Sequence, residues 1–204
     1  MPRTEAQNQN IKDKRRAKIV KGAIKVFAEK GIDKVPVDDI TKIAKCSHGL
    51  FYHYFDNKDI IIEAIVEENV IPNDLVPPCR KAKEAHGIAG LKLFADYYNR
   101  VFDPSNGVYN LASIGAHLYQ SESLPESLKH FEKDANTLET LKVLIKEGQD
   151  QGKVIAGDPN EIALGIYDII EASFNRLVNG GKKGRKAVSG DVIYNMLLKE
   201  ARED

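Results

Sequence analysis

The stretch SHGLFYHYFDNKD, Ser47–Asp59, places four of the chain's fifteen aromatic residues within Phe51–Phe55 and holds two of its five histidines. At 3.6 residues per turn it separates into two faces. Phe51 and Phe55 fall together, one turn apart, with Tyr54 flanking their edge, while Gly49, Tyr52 and His53 lie on the outer side. Ser47 is placed to N-cap this short helix, spanning about 48–54. Asp56 or Asn57 is placed to cap the next, KDIIIEAIVEENVI, which ends at Pro72. Upstream, residues 38–45 predict a short helix with Ile40, Ile43 and Ala44 facing inward. Residues 11–30 predict a longer one with Ile19, Ala23, Val26 and Phe27 on one face and Gly31 as its stop. Two short helices joined by a tight turn and braced by longer ones form the plan of a helix-turn-helix. Its first short helix crosses the DNA backbone and its second enters the major groove.

The rest of the chain suits such a head. At 204 residues, with 42% hydrophobic and 29% charged residues, the composition is that of a soluble globular protein. No apolar run of signal-peptide or membrane-span type is present, so no membrane partner is expected. Two cysteines, Cys46 and Cys79, are too few for a disulfide framework and point to the cytoplasm. Net charge is zero but unevenly spread. Residues 1–58 carry thirteen Lys/Arg against seven Asp/Glu, and the remainder seventeen against twenty-three. A basic head on an acidic body suits an anion-binding module, although KDKRRAK, Lys12–Lys18, also suits a solvated helix face.

Helical periodicity dominates the remainder, so an all-α fold is expected: a helix-turn-helix domain over 1–58 and a larger helical bundle over 59–204, joined by a connecting helix at about 57–71. IPNDLVPP, Ile71–Pro78, reads as the connector. Five body helices are expected, over 87–102, over 108–121 (which has no charged residue), over 125–151, from Asp158 with Pro159 at its first position, and over about 187–201. The Gly/Lys-rich NGGKKGRK segment, 179–186, reads as a solvated loop. Tyr97, Tyr98 and Phe102, with His117 and Tyr119 on the uncharged helix, are candidates for lining an apolar ligand pocket, ordinary core packing being the alternative.

ITKIAKCSHGLFYHYFDNKDII, Ile40–Ile61, resembles the DNA-binding signature of the TetR family of transcriptional regulators, I-A-x-x-A-G-V-S-x-G-x-L-Y-x-x-F-x-x-K-x-x-L. Ile40, Ala44, Ser47, Gly49, Phe51, Tyr52, Phe55, Lys58 and Ile61 or Ile62 fill matching places, and Phe27 and Gly31 fit the family's first helix. Four positions depart: Pro36-Val37 stands where Thr-Thr is usual, Lys45 replaces the turn glycine, and Cys46 replaces valine. The resemblance implies that Tyr52 and Lys58 contact phosphates and that Ser47 caps its helix or contacts phosphate. His48, Gly49, Leu50 and His53 are then placed for base edges, with Tyr54 divided between packing and DNA. It further implies a homodimer formed through helices at about 159–179 and 187–201, a palindromic double-stranded DNA operator, and a small, hydrophobic effector that releases a repressor.

No cofactor, metal or catalytic set is expected. His48 and His53 diverge by about 140° on a helix, whereas metal ligands sharing a helix need spacings of three or four. G-x-S-x-G, Walker, H-E-x-x-H and C-x-x-C motifs are absent. A small all-helical enzyme and an architectural DNA binder stand as the alternatives.

Overall fold

The computed structural model describes residues 4–105, 107–118, 121, 124–129, 136–180 and 186–199. Ten α-helices occur among the described residues. The head comprises α1 (Glu5–Lys30), α2 (Val37–Ala44) and α3 (His48–Tyr54). Sequence periodicity placed the start of α1 at residue 11, but the helix begins six residues earlier. Thr4 and Gln7 form a reciprocal capping box, Gln7 N–H donating to Thr4 Oγ1 at 3.3 Å and Thr4 N–H to Gln7 Oε1 at 3.1 Å. Its buried face starts at Ile19 and continues through Ala23, Val26 and Phe27. Gly22 lies where α1 meets α2, and a Cβ there would stand 3.0 Å from Ala44 Cβ.

The turn between α2 and α3 passes through Lys45 at φ 51°, ψ 52°, the left-handed region that a glycine enters without Cβ cost. Ser47 Oγ accepts the Leu50 N–H at 3.1 Å, and Asn57, rather than Asp56, caps α4 (Lys58–Ile65) by accepting from Ile60 N–H. The connecting helix does not run as one α-helix to residue 71. After Ile65 it passes into a single π-helical turn, Val66–Val70, and then a turn at Ile71–Asp74. Arg16 reaches from α1 to this π turn, its guanidinium making a forked contact with Glu68 at 2.6 and 3.0 Å.

The body holds a helix that sequence periodicity did not predict between the connector and residue 87, α5 (Cys79–Ala85). It breaks at His86, φ 60°, before α6 (Gly87–Val101). Glu147 fixes this break by accepting the Gly87 N–H at 2.6 Å and pairing with the His86 ring at 3.1 Å. The Gly87 N–H bond is the main reason the Glu147 carboxyl lies below its ordinary range. Next comes α7 (Tyr109–Leu118). The single helix expected over 125–151 is not formed. Glu126–Leu128 is a short 3₁₀ turn, and α8 (Thr137–Asp150) starts afresh where the Asn136 carbonyl oxygen Oδ1 accepts from Leu138 N–H. α9 (Pro159–Asn179) is capped by Asp158 as expected.

The last helix, α10 (Gly190–Leu197), is shorter than the expected 187–201. Ser189 caps its start. At Leu198 the chain becomes extended and pairs with Val154, Ile155 N–H donating to Leu197 O and Lys199 N–H to Lys153 O, both at 2.9 Å. Backbone groups that a longer helix would have satisfied internally are thus satisfied across the bundle. Residues 181–185 of the NGGKKGRK segment and 200–201 of the expected final helix lie outside the described residues.

In the body, α6 packs on α5, α8 and α10, while α9 packs on α7 and α8. Head and body meet through α1 and α7. Ser113 Oγ donates to the Ala28 carbonyl at 3.4 Å, and Ser121 Oγ to Asp33 at 2.6 Å. The connector is held from the other side. Tyr97 OH donates to Leu75 O at 2.9 Å, Arg100 donates to Asn73 O at 3.1 Å, and Gly115 sits so close to Leu75 O that a Cβ would come within 2.4 Å.

Two stability outcomes follow from this architecture. Lys45→Gly is expected to raise unfolding free energy by about 1 kcal/mol, read as a higher urea midpoint with unchanged m, because glycine removes the left-handed strain but loosens the unfolded chain. The hydrogen bond from Arg16 holds the Glu68 carboxyl below its ordinary value of 4.5. The pair therefore contributes at neutral pH, and the contribution disappears as pH falls below about 4.5 through the folded-state value. Both side chains are more than a third exposed, so Glu68→Gln is expected to cost no more than about 1 kcal/mol at pH 7 and to flatten the acid limb of the stability profile.

Candidate nucleic-acid interface

A seven-residue helix is too short to persist by itself, so α3 depends on its anchors. Phe51 and Phe55 are fully buried, their ring centroids 5.9 Å apart, and share a core with Ile40, Ala44, Phe27 and Ile61. Burying each is worth about 1.5–3 kcal/mol. With those two rings inside, the 3.6-residue period turns His48, Gly49, Tyr52 and His53 to solvent, and all four are exposed. Leu50 and Tyr54 are half-buried and packed against the core edge.

The exposed face has the chemistry of a groove reader. Tyr52 stands edge-on to Phe51, centroids 5.3 Å apart, which steadies the ring and leaves its hydroxyl free to donate outward. His53 is braced edge-on by Tyr54 at 5.0 Å. A Cβ on Gly49 would meet nothing within 4 Å, so the glycine keeps this part of the face low without being demanded by packing. His48 Nε2 lies 3.4 Å from the Asp38 carboxylate on α2, which orients its ring.

Two expected phosphate contacts have other partners here. Ser47 Oγ is engaged as the α3 cap. Lys58 Nζ donates to the carbonyls of Ile32 and Asp33, at 3.2 and 3.3 Å, tying the first turn of α4 to the segment that follows α1. Pro36 occupies the N-cap position of α2 and provides no side-chain cap, as its residue type dictates. Sequence reading missed the part of Arg16. Its guanidinium lies 5.4 Å from the Phe55 ring centroid while it grips Glu68, so it touches the end of α3 and the connector together. It stands within KDKRRAK, where nothing in the sequence separates it from its solvated neighbours.

In the body, Tyr98 is buried at the centre of an aromatic stack, 5.1 Å from Phe102 and 6.1 Å from Phe94, with Phe174 edge-on to Phe102 at 4.9 Å. Burial pushes the Tyr98 phenol well above its ordinary pKa. Tyr97 is turned toward the connector. His117 is half-exposed on the last turn of α7, and Tyr119 lies outside the described residues. The structure thus brings Tyr97, Tyr98 and Phe102 together, and of the described candidates only Tyr98 lines the adjoining cavity. A cavity of about 10 Å³ lies between α6, α8, α9 and α10, lined by Leu91, Phe94, Tyr98, Ile170, Ile193 and Leu197. It is far smaller than the few hundred Å³ of a small-molecule site. Leu164 on α9 and Val192 and Met196 on α10 are each about half exposed. Among the described residues, no helix is long and apolar enough to cross a membrane.

Comparison with known proteins agrees with this geometry. Residues 19–65 match the model of bacterial regulatory proteins of the tetR family. The biofilm operon icaADBC HTH-type negative transcriptional regulator IcaR of Staphylococcus epidermidis is 32% identical over 160 residues, 75% of each chain. An uncharacterised HTH-type transcriptional regulator of Bacillus subtilis, YvdT, is 48% identical over 50 residues, 24% of this chain and 26% of that protein. The fold is similar to that of HlyIIR, a hemolysin II transcriptional regulator (TM-score 0.52, 18% identity, covering 93% of this chain and 99% of that one). A HlyIIR mutant with residues 170–185 replaced by alanine gives a TM-score of 0.60 at 19% identity, covering 92% and 97%. With its helix-turn-helix geometry, its matching signature and a relative of this similarity along three quarters of its length, the chain belongs to the TetR family of DNA-binding transcriptional regulators, which are not enzymes.

Proposed function

We propose that the chain is a homodimeric, cytoplasmic repressor that binds a palindromic operator and leaves it when a small, apolar effector enters the body. One observation carries the DNA-reading part: the division of α3 into a buried Phe51/Phe55 edge and an exposed face of His48, Gly49, Tyr52 and His53. In this reading Tyr52 donates to a phosphate, His48, Gly49, Leu50 and His53 meet base edges, and Tyr54 mainly braces His53. Lys58 acts through its charge and through the α4 start that it ties to α1. The name of IcaR, a negative regulator, supports repression as the sign of control.

The half-exposed apolar residues of α9 and α10 support pairing of two subunits there, which would set two recognition helices at a fixed spacing. The aromatic cluster supports effector control. Among the described residues the cavity beside Tyr98 holds only about 10 Å³, so an effector entering there would have to part the Tyr98–Phe102 stack. The neighbouring Tyr97 hydroxyl holds the connector at Leu75, so repacking there would change how α4 holds the head. Binding would then be lost in proportion to the effector's preference for the repacked state.

Two outcomes test this reading. In a selection from a randomised duplex library, Tyr52→Phe is expected to weaken binding to all duplexes alike, by about fivefold to tenfold, whereas His53→Ala relaxes one or two positions of each half-site. An identical sequence logo with and without His53 would end its base-reading role, and absence of sequence preference in the parent chain would favour an architectural binder. Leu164→Asp with Met196→Asp is expected to give monomers in analytical ultracentrifugation and to abolish the advantage of a palindrome over a single half-site. A double variant that remains dimeric would place the interface elsewhere.

A further inference from the structure

The N-terminal half of α1 is a helix without a core. Fourteen residues, Glu5–Lys18, precede its first buried residue, Ile19, and extend about 21 Å. It is nonetheless built to be helical, with the Thr4/Gln7 capping box and a Gln9–Asp13 side-chain bond at 2.8 Å one turn on. Its charges oppose that. Lys12, Lys14, Arg15 and Lys18 are exposed and have no ion-pair partner among the described residues. Several stand at i,i+3 or i,i+4, where like charges repel. Counting 100° per residue, the four fall within an arc of about 160°, and Asp13 lies on the opposite side. That arc includes the direction of Ile19, the side of α1 on which the helix-turn-helix packs.

The root of this arm is fixed against the DNA-reading motif. Arg16 lies over the Phe55 ring at the end of α3. Lys18 is near enough to the α2–α3 turn that its charge draws down the Cys46 thiol, against the larger upward effect of burial. The arm therefore leaves the head beside both ends of the recognition helix, carrying four cations without an ion-pair partner among the described residues.

We propose that α1 residues 12–18 form a second DNA-binding surface, in which Lys12, Lys14, Arg15 and Lys18 grip the phosphate backbone flanking the bases that α3 reads. The occupant is set by charge complementarity: a duplex backbone supplies a row of anions along one edge, and the arm supplies cations along one side of a rod. Binding relieves the repulsion within the arm and releases counterions, so this contact adds affinity and salt dependence without sequence preference. It rests on α3 being the DNA reader.

The test uses the full chain and the duplex it selects from a randomised library, once trimmed to the selected bases and once extended by ten base pairs on each side. The variant combines Lys12→Gln, Lys14→Gln, Arg15→Gln and Lys18→Gln, all exposed positions, and Lys14→Glu alone serves as a milder version. On the extended duplex the fourfold variant is expected to bind on the order of ten- to a hundredfold more weakly at 0.1 M salt, with a salt slope smaller by about 2–3 per subunit. Its sequence logo stays that of the parent, Lys14→Glu changes affinity in the same direction, and trimming the duplex harms the parent more than the variant. Unchanged affinity and slope, or a loss accompanied by an altered logo, would overturn the arm while leaving the α3 reading intact. A parent chain that selects no duplex would overturn both.

Discussion

The burial of Phe51 and Phe55 is the constraint on which the recognition surface depends. α3 has seven residues, too few to be helical without tertiary support, and these two rings supply it. Once they are inside, backbone geometry assigns every other side chain of the helix its direction. The exposed aromatic and histidine residues are steadied further only by the edge-on braces from Phe51 and Tyr54 and by Asp38 beside His48. Buried packing and an exposed polar surface are divided between opposite faces of a single short element, so each face tolerates chemistry unsuited to the other.

The same economy appears where head and body join. Arg16 contacts the Phe55 ring and the Glu68 carboxylate, linking the end of α3 to the π turn of the connector. A π turn inserts a residue into helical register and is weaker per residue than the α-helix around it, which makes it a place where strain can be absorbed. Just beyond it, the Leu75 carbonyl takes the Tyr97 hydroxyl and Gly115 packs against the same group. The connector is therefore held at both ends by polar contacts of fixed direction. A change in the aromatic packing of the body and a change in the position of α3 are joined through few bonds.

Much of the architecture was legible from local signals. The Ser47 and Asp158 caps, the proline after Asp158, the glycine after α1 and the i, i+3, i+4 stripes of α6 and α9 gave elements at their observed places. The errors have two causes, local caps that periodicity does not register and contacts from distant residues. The start of α1 lies in a stretch with no apolar stripe, so periodicity was silent there although Thr4-x-x-Gln7 carried the signal. α5 sits among prolines and breaks from α6 because Glu147, sixty residues away, bonds Gly87 N–H. α8 starts at Asn136 although the charge pattern continues upstream, and α10 stops at Leu197 because Lys153–Ile155 offers its backbone to the chain beyond.

The sequence by itself determined the plan of the head from the period of its aromatic residues, the capping serine and the apolar partners Ile40 and Ala44 in α2, although Ile43, expected to face inward, is exposed. Local spacing is enough to orient such residues, because helix geometry converts sequence distance directly into direction. Only the tertiary structure decided that Arg16 bridges α3 and the connector, that Lys58 is tied to the carbonyls of Ile32 and Asp33, and that Tyr98 is buried in a stack with Phe94 and Phe102. Those facts depend on which distant residues arrive at the same place. A buried aromatic stack and an open aromatic pocket have the same residue spacing, so packing alone separates them.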